Sequence, residues 1–144
     1  MTKLKIEGIL ADRLITPSFL VEKYGFKSFI SGRVTRVNSA PNRVELCDAE
    51  FIASFIFVNN IMERIILMPI IKDIDVPDYP SEEYQEIKRK YCTDVLCNVY
   101  GKPNYNDDFC SDWETPEYKI NCCSILEGKD KYSGGNIVID TRDE

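Results

Sequence analysis

Residues 51–71 read FIASFIFVNNIMERIILMPII, and this stretch decides the fold. Two apolar runs, rich in β-branched and aromatic residues, are separated by Asn59-Asn60. Asparagine tolerates the positive φ angles of a tight turn, so the pattern predicts a β-hairpin. Because the runs are apolar at nearly every position, we expect central strands of a sheet. A buried helix is the alternative, and the repeated isoleucines of the second run favour the strand.

The same stretch is too polar at its centre to cross a membrane. Asn59, Asn60, Glu63 and Arg64 lie in its middle, and burying them in hydrocarbon would be costly. The N-terminal residues Met1–Gly8 carry two lysines but lead into no apolar signal segment and no cleavage site. We therefore expect a cytoplasmic protein with no membrane partner.

Two helices are predicted, one on either side of this hairpin in the sequence. The longer runs from about Glu82 to Tyr100, with Ser81 as its capping residue and Gly101 at its end. The shorter begins at Thr16-Pro17 and ends at Gly25. The apolar stripe of the longer helix consists of Tyr84, Ile87, Tyr91, Val95 and Val99, with Lys88, Arg89 and Lys90 off or beside it.

Strand patterns fill most of the remaining chain. Besides the hairpin they lie at 4–7, 26–37, 43–47, 118–126 and 136–141, whereas 102–115 is predicted to be a polar, acidic loop. Short turns between consecutive strands indicate antiparallel pairing. The sequence thus predicts a single α+β domain spanning 1–144. Its antiparallel sheet would have about five to seven strands, with two helices packed on one face.

The composition excludes several classes of function. The chain has no histidine, which removes Ser-His-Asp and Cys-His catalysis and histidine-ligated zinc. Its net charge of −6 makes it a poor general partner for nucleic acid. The six cysteines lack the C-x-x-C spacing of metal sites, and a chain of this length needs no disulfides for its core. We expect reduced core thiols, no metal and no cofactor.

Acidic residues are concentrated in two segments. Residues 73–86 contain six acids and no base, and residues 104–117 contain five acids and no base. Both segments flank the longer helix and both carry aromatic side chains, which is typical of a surface that binds a basic protein. The candidate partner-binding residues are Asp73, Asp75, Asp78, Tyr79, Glu82, Glu83, Tyr105, Asp107, Asp108, Asp112, Trp113 and Glu114. The alternative is a solvated acidic loop whose aromatics, Trp113 above all, lie in the core.

The order of elements in the second half resembles a known class of proteins. FIFVNNIMERIIL at 55–67 leads into a helix ending VYGKP at 99–103, followed by Trp113, Tyr118-Lys-Ile120 and GNIVIDT at 135–141. This order is similar to small bacterial immunity proteins of contact-dependent and polymorphic toxin systems. The resemblance covers about residues 50–141 and carries over no functional residue. It implies a cytosolic, non-enzymatic protein that binds a toxin domain tightly, and a basic nuclease toxin would suit an acidic partner.

Two other classes stay open at this point. One is a small-molecule-binding domain or an atypical enzyme that uses clustered carboxylates, which requires a cleft of a few hundred Å³. The other is a structural subunit that associates with itself through the edges of its sheet.

Overall fold

The computed structural model describes residues 3–11, 14–72, 74–75, 81–124 and 134–141. It has the expected α+β architecture, with helices on one face of an antiparallel sheet. In chain order the elements are α1 (Ile6–Ala11), α2 (Pro17–Tyr24), β1 (Lys27–Ser31), β2 (Val34–Asn38), β3 (Val44–Leu46), β4 (Ala49–Val58), β5 (Ile61–Pro69), α3 (Glu82–Tyr100), β6 (Tyr105–Asn106), β7 (Cys110–Glu114), β8 (Tyr118–Cys123) and β9 (Ile137–Thr141).

The sheet is built around the hairpin of residues 51–71. Its strands lie in the order β1-β2-β4-β5-β9-β8-β7-β6, with β3 on the remaining part of β4, and every pair of strands is antiparallel. Asn59 and Asn60 have φ angles of 52° and 65°, so the predicted turn is confirmed. As central strands, β4 and β5 bring the N-terminal and C-terminal strands into one layer.

One face of the sheet forms the core. Along β4 the side chains alternate between fully buried and half-buried, and Phe51, Phe55 and Phe57 point into the core. Leu20 of α2 and Leu96 of α3 belong to the same buried cluster, which places the helices on this face. The opposite face carries half-buried and exposed side chains in the part of the chain that the structure describes.

The first element is a helix, and the predicted strand at 4–7 is wrong. Ile6, Ile9 and Leu10 are all buried, and their three- and four-residue spacing places them on one side of α1. The alternation at 4–7 is too short to outweigh this spacing. Lys5 makes only an isolated bridge to Glu45 next to the sheet.

The described residues contain nine strands and three helices, more than the five to seven strands and two helices expected. The predicted strand at 26–37 is divided into β1 and β2 by a two-residue turn, Gly32-Arg33. Gly32 has a φ of +62°, which glycine adopts readily. The acidic loop predicted at 102–115 contains β6 and β7. Asp, Asn and Ser disfavour strands by local propensity, so these strands depend on their tertiary neighbours.

The bounds predicted for α3 are confirmed, but its buried side is rotated relative to the predicted apolar stripe. Ser81 caps the helix by accepting a bond from the Tyr84 backbone, and the helix ends before Gly101. The residues buried along it are Tyr84, Gln85, Lys88, Arg89, Cys92, Val95 and Leu96. Two cations predicted to lie off the stripe are therefore inside the protein. Lys88 is fully buried, with its ammonium 3.0 Å from the Asn136 side-chain oxygen and over the ring of Tyr84.

Candidate functional site

Only part of the first acidic segment can be placed. Asp73, Asp78 and Tyr79 lie outside the described residues. Asp75 is exposed, and Glu82 and Glu83 are exposed in the first turn of α3, where the helix dipole favours negative charge.

The second acidic segment forms a hairpin. β6 pairs with β7 through Tyr105 and Asp112, and the turn between the strands consists of residues 107–109. Asp107 and Asp108 are exposed on this turn. Two aromatic side chains flank them, and Tyr105 is 54% exposed. The other, Phe109, is 46% exposed, so both large side chains lie among carboxylates in contact with solvent.

The Asp107 carboxylate holds the turn in shape. One of its oxygens accepts hydrogen bonds from the backbone amides of Phe109 and Cys110, at 2.8 and 2.7 Å. The other accepts from the hydroxyl of Tyr105 at 2.8 Å. The pKa of Asp107 is therefore lowered, first by the Phe109 amide and then by the Tyr105 hydroxyl. The same bond raises the pKa of Tyr105.

Arg89 fastens the hairpin to α3. Its guanidinium donates from Nη2 to the Asp107 carbonyl at 2.8 Å and to the Asn106 side chain at 3.3 Å. From Nη1 it forms an ion pair with Glu86, one turn earlier in the helix, at 3.1 Å. The planar guanidinium spreads five N–H donors over three nitrogens and so reaches acceptors on different sides, whereas the three donors of a lysine ammonium are all on one atom. Arg89 thereby joins the two acidic segments.

Ser124 and a disulfide hold the other end of the turn. The Ser124 amide donates to the Phe109 carbonyl at 2.8 Å, and its hydroxyl donates to Glu86 at 3.0 Å. Cys110 and Cys123 lie directly opposite each other on β7 and β8 and are joined by a disulfide. The prediction that all cysteines are reduced is thus wrong for this pair, because the hairpin register places their Cα atoms 4.1 Å apart.

We call the resulting region the acidic hairpin surface. It consists of Tyr105, Asp107, Asp108 and Phe109 on the hairpin, with Glu82, Glu83 and Glu86 on the first two turns of α3. The bonds of Arg89 and Ser124 connect its two parts. Whether the acidic segments share one patch was open from the sequence. The structure joins Glu86 of the first segment to the hairpin through Arg89 and Ser124, and Glu82 and Glu83 lie about one turn before Glu86 on α3.

Trp113 does not belong to this surface. It is 1% exposed in the core, and its indole Nε1 donates to the Gly101 carbonyl at 2.9 Å. It therefore has no exposed surface for an anchor, because alternate residues of β7 face the helices. Asp112 and Glu114 lie on the other face of the strand, opposite Asn121 and Lys119 of β8.

A surface cleft lies beside the hairpin, between α3 and β6. Its volume is about 280 Å³, and the described residues lining it are Arg89, Lys90, Thr93, Asp94 and Asn106. Asp94 is the only carboxylate among these five residues, so this cleft does not gather the acids that a carboxylate enzyme needs. A second cleft, of about 320 Å³, lies between α1 and α2 and has a mainly apolar lining. Within the described ranges no three Cys, Asp or Glu residues are arranged to hold a metal ion.

The two residues that connect the parts of this surface, Arg89 and Ser124, are not among the candidates predicted from the sequence. Arg89 lies in a run of three cations, Lys88 to Lys90, which is ordinarily a solvated helix face. The available signal was the position of this run, since Lys88 and Arg89 lie one turn before the buried Cys92 and two turns before the buried Leu96. Phe109, an aromatic residue of the second acidic segment, is an exposed member of the surface that the predicted candidates do not include.

Within the described residues, none of the three helices has the length and the apolar character that a membrane span requires. Compared with protein-family models, with curated proteins and with solved structures, the chain shows no match in any of the three.

Proposed function

We propose that this protein is a non-catalytic binding module that inhibits a partner protein, with a toxin domain as the most suitable class of partner. The observation that carries the proposal is the exposure of Tyr105 and Phe109 on a fixed turn between carboxylates. Exposed aromatic anchors supply most of the affinity in protein interfaces. This role is that of a cytoplasmic immunity protein, as the order of elements suggested.

The turn is fixed before any partner arrives. Asp107 accepts three hydrogen bonds within the turn, and Arg89 and Ser124 tie its backbone to α3 and β8. A loop that is already ordered loses little conformational entropy on binding, which favours high affinity. These contacts support a rigid docking element rather than a mobile loop.

The charge of the surface favours a basic partner. Glu82, Glu83, Asp107 and Asp108 are exposed, and the nearest guanidinium, that of Arg89, is already used inside the protein. Exposed charges act mainly on the rate of association and are screened by salt. We therefore expect fast, salt-dependent association with a domain whose surface is rich in lysine and arginine.

The arrangement favours binding over catalysis. The best-positioned carboxylate, that of Asp107, has both oxygens occupied by hydrogen bonds that shape the turn. Its lowered pKa makes it a weak proton acceptor, which is the opposite of what a general base needs.

Identification of the genes beside this chain's gene, followed by co-expression with any toxin domain encoded there, tests the proposal. We expect the wild-type chain to restore growth of the host, and the double variant Tyr105→Ala, Phe109→Ala to fail. Ile61→Ala is the control, since Ile61 is 65% exposed but lies at the start of β5, outside the acidic hairpin surface. Growth restored equally by all three chains would show that the acidic hairpin surface is not the docking site. Neighbouring genes of a metabolic operon would count against the toxin partner itself.

The electrostatic part of the proposal is tested separately, with two variants that carry the same change of charge at different places. Asp108→Lys and Glu63→Lys change the net charge equally, but Glu63 is exposed on β5, outside the acidic hairpin surface. We expect Asp108→Lys to slow association with the toxin domain by about tenfold at low salt and Glu63→Lys by less than about twofold. Equal rates for the two variants would remove charge steering from the proposal.

A further inference from the structure

We infer that the outer edge of β1 pairs with the same edge of a second copy, forming a two-fold symmetric dimer with one continuous sheet. The sheet ends on one side with β1 and on the other with β6, which has only two residues. Among the described residues, β1 pairs with β2 alone. A five-residue edge is therefore available at β1.

Within the part of the chain that the structure describes, one lysine is the only one of the usual protections of a sheet edge that this strand has. All five of its residues are exposed, and it contains no proline and no bulge in its pairing with β2. Phe29 is 57% exposed on one face of the strand and Ile30 is 75% exposed on the other. Pairing with another strand would cover both side chains.

The free backbone groups of β1 follow from its hairpin. Ser31 and Val34 flank the two-residue turn to β2 and so form a hydrogen-bonded pair. Such pairs alternate along an antiparallel ladder, so Phe29 also bonds to β2. The amides and carbonyls of Ser28 and Ile30 consequently point away from the sheet.

These groups are self-complementary in one antiparallel register. If Ser28 pairs with Ile30 of the second copy, the two-fold axis passes through Phe29, and the outward-pointing amides and carbonyls of both strands are satisfied. Phe29 then lies directly opposite its counterpart, where paired aromatic rings attract each other. Lys27 lies opposite Ser31, so no like charges are paired across the contact.

The distribution of charge permits this contact despite the net charge of −6. The edge β6, which carries the acidic hairpin, lies seven strand spacings from β1, or about 33 Å. Lys27 of one copy and Arg36 of the other, two strand spacings and two residues apart, would have their Cα atoms about 12 Å from each other. This exceeds the physiological screening length of about 8 Å.

The contact is small, so the dimer is weak. Two five-residue strands with two large apolar side chains each lie at the lower end of specific interfaces. We expect a dissociation constant on the order of 10–100 µM. The dimer would place its two acidic hairpin surfaces at opposite ends of the joined sheet, although the contact itself does not depend on the function proposed for them.

Sedimentation velocity of the full chain from about 5 to about 300 µM tests the inference. We expect a reversible shift from monomer to dimer, weakened at least about tenfold by Ser28→Pro, which removes an outward amide and no bond within the chain. Ser28→Ala keeps that amide and should dimerise within about twofold of the wild type. A monomer throughout this range, or equal dimerisation of Ser28→Pro, would overturn the inference.

Disulfide trapping tests the register independently. In a Cys47→Ser background, Phe29→Cys should form a cross-linked dimer on mild oxidation, because the two Cα atoms lie about 4.5 Å apart in this register. Lys27→Cys is the matched control, since its counterpart would lie about 14 Å away along the strands. Cross-linking of Lys27→Cys in place of Phe29→Cys would rule out this pairing.

Discussion

The Arg89 guanidinium donates a 2.8 Å hydrogen bond to the backbone carbonyl of Asp107, which joins the middle of α3 to the turn between β6 and β7. Arg89 is 9% exposed, whereas the Asp107 side chain is on the surface. The position of the candidate docking turn therefore depends on a charge held inside the protein. A buried charge of this kind is costly to leave unpaired, so both partners constrain each other.

Replacement of Arg89 should destabilise the whole protein. Arg89→Ala removes the bonds to Asp107, Asn106 and Glu86 and should lower the free energy of unfolding by roughly 2–4 kcal/mol. Arg89→Lys should recover little of this loss, because one ammonium cannot reach the same acceptors. Urea denaturation measures the effect, with the exposed neighbour variant Lys90→Ala as the control. A loss for Arg89→Ala no larger than for Lys90→Ala would contradict the assignment.

Asp107 should make the stability of the hairpin dependent on pH. Its folded-state pKa lies below the ordinary 3.8, so the folded state prefers the carboxylate. The stabilisation is complete above the unfolded-state pKa and is lost as the pH falls through the folded-state pKa. Asp107→Asn should flatten the decline of the unfolding free energy between about pH 5 and about pH 2. A decline as steep for Asp107→Asn as for the wild type would refute this role.

The disulfide between Cys110 and Cys123 should stabilise the protein under oxidising conditions. The cysteines are 13 residues apart in sequence, and closing a loop of this length contributes about 2–3 kcal/mol. The Cys110→Ser, Cys123→Ser double variant should therefore melt at a lower temperature than the wild type, and a reductant should abolish the difference. Cys47→Ser, at an exposed free cysteine, serves as the control. A difference that persists in reductant would mean that the serines act by another route.

Gly135 should be intolerant of substitution. It has a φ of +81°, and a Cβ atom there would lie 2.5 Å from the Gln85 carbonyl oxygen and 2.7 Å from the Lys88 Cβ. Gly135→Ala should cost more than about 2 kcal/mol in the free energy of unfolding. Gly8→Ala is the matched control, because a Cβ in α1 meets no atom within 4 Å and should stabilise by up to about 1 kcal/mol. Comparable effects at both positions would contradict the close packing of Gly135 on α3.

Local sequence patterns predicted the elements whose ends are marked by capping residues or turn residues. The caps Thr16 and Ser81 accept hydrogen bonds from the third residue after them, as expected. The turn at Asn59-Asn60 and the end of α3 before Gly101 also follow from residue chemistry alone. The short strands β6 and β7 escaped prediction because three of their seven residues, Asn106, Asp112 and Glu114, are of types depleted in strands. Their pairing is stabilised by contacts from α3 and β8.

From the sequence, the candidate site could be predicted as acidic segments of the chain but not as a surface in three dimensions. The clustering of acids near Tyr105 and Asp107 was visible in the sequence. The sequence did not show that Tyr105 is exposed while Trp113 is buried, because the strand register determines which side chain faces the core. A shift of one residue would have exchanged their faces.

The central hairpin, the ends of α2 and α3 and the concentration of charge follow from local residue chemistry. Capping and turn formation act within a few residues, and composition can be read directly. Three features depend instead on tertiary packing: Arg89 is buried, Cys110 is bonded to Cys123, and the two acidic segments lie next to each other. Those outcomes depend on which distant strands and helices pack together. Because pairing partners far apart in the chain are selected by the packing of the whole core, they leave no local signal.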